Sequence, residues 1–494
     1  MTAAVASRRG GAPMLAPVLY SVGVLVTVLG IAMLLPAVVD AVAGSPDWRV
    51  FVISGAVTIF LGVSLALVFR GRVPEHLSLR HTFLLTVASW TVLTGVAALP
   101  FVFSAFDVGY VDAFFEAMSG ITTTGATVLV GLDSASPGIL LWRALLQWLG
   151  GIGVVVMGVA VLPVLRIGGM QLLRAEWSET SGKLLPRAAE LAAMVARVYA
   201  LLTALCWLAL SVAGMPAFDA ALHALTTLST GGFSTSDASI AHFRSAAVEW
   251  TLVVFMLCGG TSFTLFIGLW HGRARALVST SQLRDFLLIV AVAAFSIALW
   301  RLRISDVQTA TAIRESVFTV VSIVTTTGFT TADYGAWGSF GVTGIFILMF
   351  IGGCTGSTAG GVKVYRFQIL FESTRRQLLQ LFNPHHVVVA KYDGRAIPAE
   401  VFQSVSSFLF LYFLTFAVLA LALAALGLDL DTALSAAASA IGNVGPGIGP
   451  IVGPTGNFAP LPDAAKLLLA AGMLLGRLEL WTVLVLLAPG FWRA

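Results

Sequence analysis

Long apolar runs alternate along the chain with short polar segments. A helix that crosses a bilayer needs about 20 apolar residues, and the runs reach that length. We predict ten spans, at residues 15–43, 49–70, 82–104, 138–165, 188–214, 246–270, 284–302, 341–382, 400–427 and 464–489. The first span follows Arg8 and Arg9 and is too long for the core of a cleaved signal peptide, so we interpret it as a retained helix. The pattern predicts an all-α polytopic membrane protein.

Composition and charge support this class. Hydrophobic residues make up 58% of the 494 positions and charged residues only 11%, too few charges to cover a soluble surface. The net charge of +4 gives no reason to invoke nucleic acid. Cys206, Cys258 and Cys354 lie far apart in apolar runs. An odd number of cysteines without metal-ligand spacing argues against a disulfide framework and against a zinc site.

The basic residues predict the orientation. Most of the 28 Lys and Arg residues fall on the connecting segments that share a side with the N-terminus, and this side is cytoplasmic by the positive-inside rule. Two of these segments, 166–187 and 383–398, are longer than a connection requires. The second contains a strand-like run and an Asp-Gly turn, which predicts a small hairpin; a solvated linker is the alternative.

A threonine- and glycine-rich phrase recurs four times on the opposite, outer side. It reads ITTTGAT at 121–127, LSTGGFSTSD at 228–237, VTTTGFTTADY at 324–334 and, more faintly, GNVGPGIG at 442–449. When the copies are aligned on one glycine in each (Gly125, Gly232, Gly328, Gly445), a small hydroxyl residue lies six positions earlier in all four: Ser119, Thr226, Ser322 and Ser439. Thirteen positions earlier the first three copies carry Asp112, Asp219 and Glu315, whereas the fourth has Thr432. Acidic residues favour helix starts, so we predict that a short helix begins there.

These short helices lead to a prediction about function. About 12 helical residues reach only about 18 Å, so each helix should enter the membrane and turn back into its loop. Irregular backbone at membrane depth is tolerated where it lines a path, and four such loops can replace a cation's hydration shell with carbonyl oxygens. Ordinary polar turns are the alternative, but four copies at matching offsets favour a pore. Asp237 and Asp333 are placed to attract cations at its outer mouth.

A glycine-rich segment interrupts the span at 341–382. Each glycine costs a helix interior about 1 kcal/mol, so Gly352, Gly353, Gly356, Gly360 and Gly361 predict an unwound stretch. A phosphate-binding loop is excluded because its Gly-Lys-Ser/Thr ending is absent, and a kink without a role is the remaining alternative.

Two basic residues, Arg477 and Lys363, are candidates for contacts with this unwound stretch. A charge inside a span usually faces the bundle interior. We therefore hypothesise that Arg477, in the last span, faces the pore and bonds the glycine-rich segment. Snorkelling of Arg477 to the inner surface is the alternative, and Glu479 is a poor partner for it. Lys363 is either a contact of the segment or an inner-surface anchor.

The motifs SGITTTGAT, LSTGGFS, VTTTGFTTAD, GNVGPGIG and GGCTGSTAGGVKVYR resemble the Trk/Ktr/HKT superfamily of potassium transporters, over about residues 80–490. The two leading helices make the chain most similar to the TrkH branch. The resemblance implies four helix–pore loop–helix repeats around one central pore. It assigns potassium-binding filter positions to Thr123, Thr124, Gly125, Ala126, Thr230, Gly231, Gly232, Phe233, Thr326, Thr327, Gly328, Phe329, Asn443, Val444, Gly445 and Pro446. It assigns an intramembrane gate to Gly352, Gly353, Cys354, Thr355, Gly356, Ser357, Thr358, Gly360, Gly361, Lys363 and Arg477.

The resemblance carries further expectations. Gly125 favours potassium, while the Asn-Val-Gly-Pro of the fourth loop implies an approximate four-fold pore of looser selectivity. The implied divisions are two N-terminal helices (1–79) and four pore repeats (80–187, 188–282, 283–395, 396–494). A bacterial inner-membrane homodimer is implied, embedded in lipid, with a cytoplasmic ring of nucleotide-binding, TrkA-like regulatory subunits and no organic cofactor on this chain. The alternatives are a sodium- or proton-coupled secondary cation transporter and an intramembrane enzyme; we find no clustered nucleophile and base for the latter and expect no enzyme.

Overall fold

The computed structural model describes residues 15–71, 78–157, 184–272, 280–383, 385 and 389–492. Its helices, in chain order, are α1 (Ala16–Ala32), α2 (Leu34–Ala43), α3 (Trp48–Phe69), α4 (Leu79–Ala97), α5 (Leu99–Phe103), α6 (Tyr110–Ile121), α7 (Pro137–Val156), α8 (Leu184–Val212), α9 (Ala217–Leu228), α10 (Ala246–Gly260), α11 (Phe263–Trp270), α12 (Ser281–Ile304), α13 (Thr309–Val324), α14 (Gly338–Leu348), α15 (Val364–Phe382), α16 (Ala399–Ala425), α17 (Leu430–Gly442), α18 (Gly449–Val452), α19 (Asp463–Arg477), α20 (Leu480–Leu484) and α21 (Pro489–Trp492). Strands β1 (Lys391–Tyr392) and β2 (Arg395–Ala396) pair antiparallel, which confirms the predicted hairpin.

Apolar helices long enough to cross a membrane dominate the fold, as predicted for an all-α multi-pass protein. Seven helices in the described ranges meet the length and composition of a span. Two bent pairs of helices in the described ranges reach this length only when each pair is taken together: α10 and α11 meet at 94°, and α19 meets the helix that follows it at 113°. The predicted span at 341–382 is divided into α14 and α15, with non-helical backbone between them. The interruption falls on the glycines, because these residues weaken a helix most.

Four short helices precede the four threonine/glycine loops. These are α6, α9, α13 and α17, with 12, 12, 16 and 13 residues. Asp112 and Asp219 lie in the first turns of α6 and α9, as predicted. The prediction for Glu315 is wrong, because α13 begins at Thr309 and Glu315 lies further along the helix. Its carboxylate instead pairs with Arg301 of α12 at 2.6 Å.

The N-terminal helices pack against α4 and α7. Helices α1 and α3 approach closely at glycines, since a Cβ on Gly23 or Gly62 would overlap the backbone of the other helix. The fully buried Asp40 of α2 accepts hydrogen bonds from Gly138 N–H at 2.6 Å and Ser136 Oγ at 3.3 Å. The first bond satisfies a backbone N–H in the first turn of α7 that has no partner within the helix, and the two bonds together hold α2 against the start of α7. Apolar side chains such as Phe60 cover the outside of the bundle, a surface suited to lipid.

Candidate cation-conduction site

The four loops share one backbone conformation. Two residues before each aligned glycine, a non-glycine residue adopts positive φ, which is uncommon: Thr123 at 51°, Thr230 at 51°, Thr326 at 57° and Asn443 at 53°. The aligned glycines also have positive φ: Gly125 at 84°, Gly232 at 74°, Gly328 at 82° and Gly445 at 105°. The same alternation at the same offsets makes the four loops structural copies of one another, including the fourth, whose sequence departs most.

The small residue six positions before each glycine anchors its loop. In each loop its carbonyl oxygen accepts a hydrogen bond from the N–H of the residue just before the aligned glycine. The N···O distance is 2.8 Å in the first loop, from Thr124 N to Ser119 O, and 2.9 Å, 2.8 Å and 3.0 Å in the second, third and fourth loops. In two loops the hydroxyl adds a bond, from Ser322 Oγ to Phe329 O at 2.7 Å and from Ser439 Oγ to Gly445 O at 2.6 Å. A small hydroxyl residue suits this position because the loop turns back and packs against it.

Asparagine replaces threonine in the fourth loop. Asn443 tolerates the left-handed conformation better than most residues. Its buried amide donates to Thr124 Oγ1 and to Met473 O, both at 3.0 Å. This side chain therefore joins the fourth loop to the first loop and to α19.

The loops contact one another in a closed ring. A Cβ added to Gly125 would overlap the carbonyl oxygen of Gly231 in the second loop, and one on Gly232 would overlap Thr327 O in the third. Likewise Gly328 faces the Val444 carbonyl of the fourth loop, and Gly445 faces the Thr124 carbonyl of the first. Each glycine thus faces the carbonyl that precedes the aligned glycine of the next loop. These contacts run from the first loop to the fourth in chain order and then return to the first, so backbone oxygens surround a central axis.

A cavity of about 260 Å³ opens onto this ring and is lined by Gly125, Gly232, Gly328 and Gly445 together. We call it the loop-side cavity. Asp237 also lines it, and the Asp237 carboxylate accepts from the N–H groups of Gly131 at 2.8 Å and Leu132 at 3.1 Å. Asp333 is absent from the lining; its carboxylate accepts from Gly335 N–H at 2.9 Å. Of the two predicted acids, Asp237 is the one beside the cavity.

A buried ion pair that was not among the predicted site residues supports the first two loops. Arg143 Nε donates to Glu116 at 2.8 Å, and Arg143 Nη1 donates to Ser234 O at 2.7 Å. The guanidinium also lies 4.1 Å from the centre of the Phe233 ring. The sequence does contain a signal for this pair, namely a basic residue within the apolar α7 and an acidic residue within the short α6. Such charges are rarely buried without a partner.

The glycine-rich segment between α14 and α15 lies against the ends of the short helices. Gly360 N–H donates to Thr326 Oγ1 at 2.7 Å, Thr358 Oγ1 to Leu228 O at 2.9 Å, and Gly361 N–H to Gly442 O at 3.0 Å. These contacts reach α9, α17 and the third loop. None of the segment's residues lines the loop-side cavity.

The first half of the segment is bonded to neighbouring helices. Cys354 N–H donates to Gly260 O at 2.8 Å, where α10 ends, and Gly356 O accepts from Phe263 N–H at 3.0 Å, where α11 begins. Thr355 N–H donates to the side-chain carbonyl of Gln282 in α12 at 2.8 Å. Inside the segment, Ser357 Oγ donates to Cys354 O at 2.5 Å. Gly352 has φ of 78°, and a Cβ on Gly353 would contact Gly260, so both positions favour glycine.

Arg477 has the contact that the sequence hypothesis requires. Its Nη1 donates to Thr358 O at 2.7 Å, and the residue is only 5% exposed. Lys363 is buried, and its Nζ donates to Ala359 O at 2.6 Å, so it contacts the segment instead of anchoring at a surface. Glu479 does not contact Arg477; it pairs with Arg366 at 2.6 Å. A second, smaller cavity is lined by Arg477, Lys363 and the segment.

Comparisons with known proteins agree with this architecture. The family model described as "TrkH: Cation transport protein" matches residues 48–493. The chain is 43% identical over 479 residues to the Trk system potassium uptake protein TrkI of Halomonas elongata, covering 97% of each chain. It is 40% identical over 478 residues to Trk system potassium uptake protein TrkH of Escherichia coli, covering 96% of this chain and 98% of that one. The crystal structure of the potassium transporter TrkH from Vibrio parahaemolyticus matches with a TM-score of 0.89 at 37% identity, over 97% of this chain and 100% of that chain.

Proposed function

Since the chain belongs to the TrkH family of cation transport proteins, we propose that its ring of four loops is the selectivity filter of a potassium uptake protein. Its relatives are named as potassium uptake proteins, so potassium transport across the membrane is the activity to expect. The ring of glycines that face carbonyls is the observation that carries the assignment of the filter.

Potassium is the substrate of this site, and the backbone supplies its ligands. A dehydrating cation needs several oxygens around it, and rings of carbonyls provide them. The filter comprises residues 123–126, 230–233, 326–329 and 443–446. The C-terminal ends of α6, α9, α13 and α17 run into the loops, and their partial negative charge favours a cation at the axis. In the described ranges no group of three or more His, Cys, Asp or Glu residues is placed to hold a metal ion.

The glycine-rich segment is the gate in this proposal. It lies under the ends of the short helices, and the hydrogen bond from Arg477 to Thr358 O holds it there. The gate comprises Gly352, Gly353, Cys354, Thr355, Gly356, Ser357, Thr358, Gly360, Gly361, Lys363 and Arg477. A positive charge at this depth opposes a potassium ion until the segment moves.

The assembly around the pore is also a proposal. The Trk names of the relatives support a multi-component system, in which we place a homodimer of this chain and a cytoplasmic ring of nucleotide-binding, TrkA-like subunits. The basic residues support a cytoplasmic N-terminus, and the membrane in this proposal is a bacterial inner membrane. The division into two leading helices and four pore repeats, with boundaries at 79, 187, 282 and 395, stays a prediction.

Rubidium-86 uptake into liposomes that contain the purified protein tests the function. We expect uptake that potassium competes away and that sodium affects little. Equal competition by sodium and potassium would contradict the proposed filter. Absence of uptake by folded protein, both alone and with its regulatory subunit, would contradict potassium transport itself. Protein-free liposomes provide the baseline.

A further inference from the structure

One of the four ring carbonyls differs from the other three. Gly231 O accepts a hydrogen bond from the side-chain amide of Gln147 at 2.6 Å. Within the described part of the chain, no side chain donates to the matching carbonyls of Thr124, Thr327 and Val444. A carbonyl oxygen has two lone pairs, so the bond from Gln147 leaves Gly231 O less capacity for a cation.

Gln147 holds the second loop on both sides of its aligned glycine. Besides the bond to Gly231 O, its side-chain carbonyl accepts from Phe233 N–H at 3.0 Å. The side chain is fully buried within α7, so water does not compete for these bonds. A bidentate amide therefore fixes the peptide units that flank Gly232 in one orientation.

The matching positions in two other repeats carry methionine. Gly150 of α7 and Gly476 of α19 each face the carbonyl four residues before the aligned glycine of their own repeat, those of Ile121 and Ile441, and Gly259 of α10 packs against the Thr227 and Leu228 carbonyls at the corresponding turn. The three glycines are therefore equivalent points. Three residues before them lie Gln147, Met256 and Met473, all buried. Methionine has nearly the length of glutamine but no N–H donor.

We propose that Gln147 is a specificity-determining residue of the filter, which fixes the Gly231 carbonyl and leaves the ring without rotational symmetry. This inference rests on the proposed function. Gln147 is a positioning residue, since it acts on the cation through the loop backbone. A carbonyl held at a fixed distance cannot move inward to ligate a smaller cation, so the amide favours potassium over sodium.

The Gln147→Met variant tests the proposal, because it gives the first repeat the residue of its two counterparts. Wild-type, Q147M and the control Met256→Leu are compared by rubidium-86 uptake with increasing potassium or sodium as competitor. We expect Q147M to lower the half-inhibitory concentration of sodium by about fivefold, the effect of one ordinary hydrogen bond. The value for potassium should change less than twofold, and M256L should match wild type. The thermal unfolding midpoint is measured for each protein, because a merely structural role would lower it without changing the sodium-to-potassium ratio.

The outcomes separate this inference from the proposed function. An unchanged ratio in folded Q147M overturns the role of Gln147 while leaving the filter in place. A wild-type protein that does not discriminate potassium from sodium contradicts the filter itself. If Q147M is not recovered folded, Gln147→Leu decides by the same ratio, since leucine lacks both bonds in a similar volume.

Discussion

Replacing Gly232 with alanine perturbs the ring of loops at a single point. Gly232 has φ of 74°, and its Cα faces the Thr327 carbonyl of the next loop. The new methyl group would overlap that oxygen. Because the Cα that carries the methyl group and the Thr327 carbonyl both belong to backbone of the ring, neither can withdraw without displacing a carbonyl of the ring.

The magnitude follows from two contributions. A left-handed conformation costs a residue other than glycine about 1–2 kcal/mol. Insertion of a methyl group into packed surroundings typically costs about 1–3 kcal/mol. The total is about 2–5 kcal/mol against the ring geometry, and its lower bound reduces the population of the intact ring about thirtyfold. We therefore expect G232A to lose at least that factor in rubidium-86 uptake.

Gly214→Ala is a matched control. Gly214 also has positive φ, at 95°, but a Cβ there meets nothing within 4 Å. The control therefore carries the backbone strain without the overlap in the ring. Both variants should purify as folded protein, with uptake near the wild-type rate for G214A alone. Equal rates for G232A and wild type would refute the closed ring, and equal losses in both variants would attribute the effect to backbone strain.

Three further variants test the gate, the support of the loops and the cavity. Arg477→Ala removes the hydrogen bond that holds the proposed gate segment. Basal uptake should rise about tenfold, since hydrogen bonds from charged donors are among the stronger ones. Arg477→Lys keeps the charge and should stay closer to wild type, and an unchanged rate in R477A would contradict the gate. Glu116→Gln leaves Arg143 buried without its ion pair, a loss of typically about 3–5 kcal/mol, so the unfolding midpoint should fall; an unchanged midpoint would show that the pair does not support the loops. Asp237→Asn should roughly double the half-saturating potassium concentration at low ionic strength and lose this effect in high salt. Asp333→Asn, away from the cavity, is its control, and equal shifts in both would contradict a local role for Asp237.

The loops could be predicted from sequence because their chemistry is local. Each loop requires a residue at positive φ, a glycine two positions later and a small hydroxyl residue six positions before that glycine. All three lie within one loop and its own short helix. These requirements leave the same offsets in each copy, so Gly445 could be aligned with Gly328 although their neighbours differ. The interruption by Gly352 and its neighbours is likewise a local property, since glycines weaken a helix wherever it packs.

The partners of the polar residues could not be predicted. Arg143 and Glu116 lie on different helices, and Arg366 and Glu479 are 113 residues apart, so no short spacing along the chain connects either pair. Glu315 shows the limit of offsets, since the third short helix is longer than the others and begins earlier, and its acid pairs with a neighbouring helix. Gln147 lies in an apolar run, where hydropathy gives no sign that its amide reaches the second loop.

The three interrupted helices depend on one another for their backbone hydrogen bonds. The bend after α10 frees carbonyls, and Gly260 O accepts from Cys354 N–H of the glycine-rich segment. The segment leaves Thr358 O without a helical partner, and Arg477, beside the bend after α19, donates to it. Unpaired polar backbone is costly in a membrane, so the bend after α10 and the glycine-rich segment are each tolerated because a neighbouring interruption supplies the missing hydrogen-bond partner. Movement of the segment would break these hydrogen bonds together, so water would have to enter the space beneath the ring to replace them.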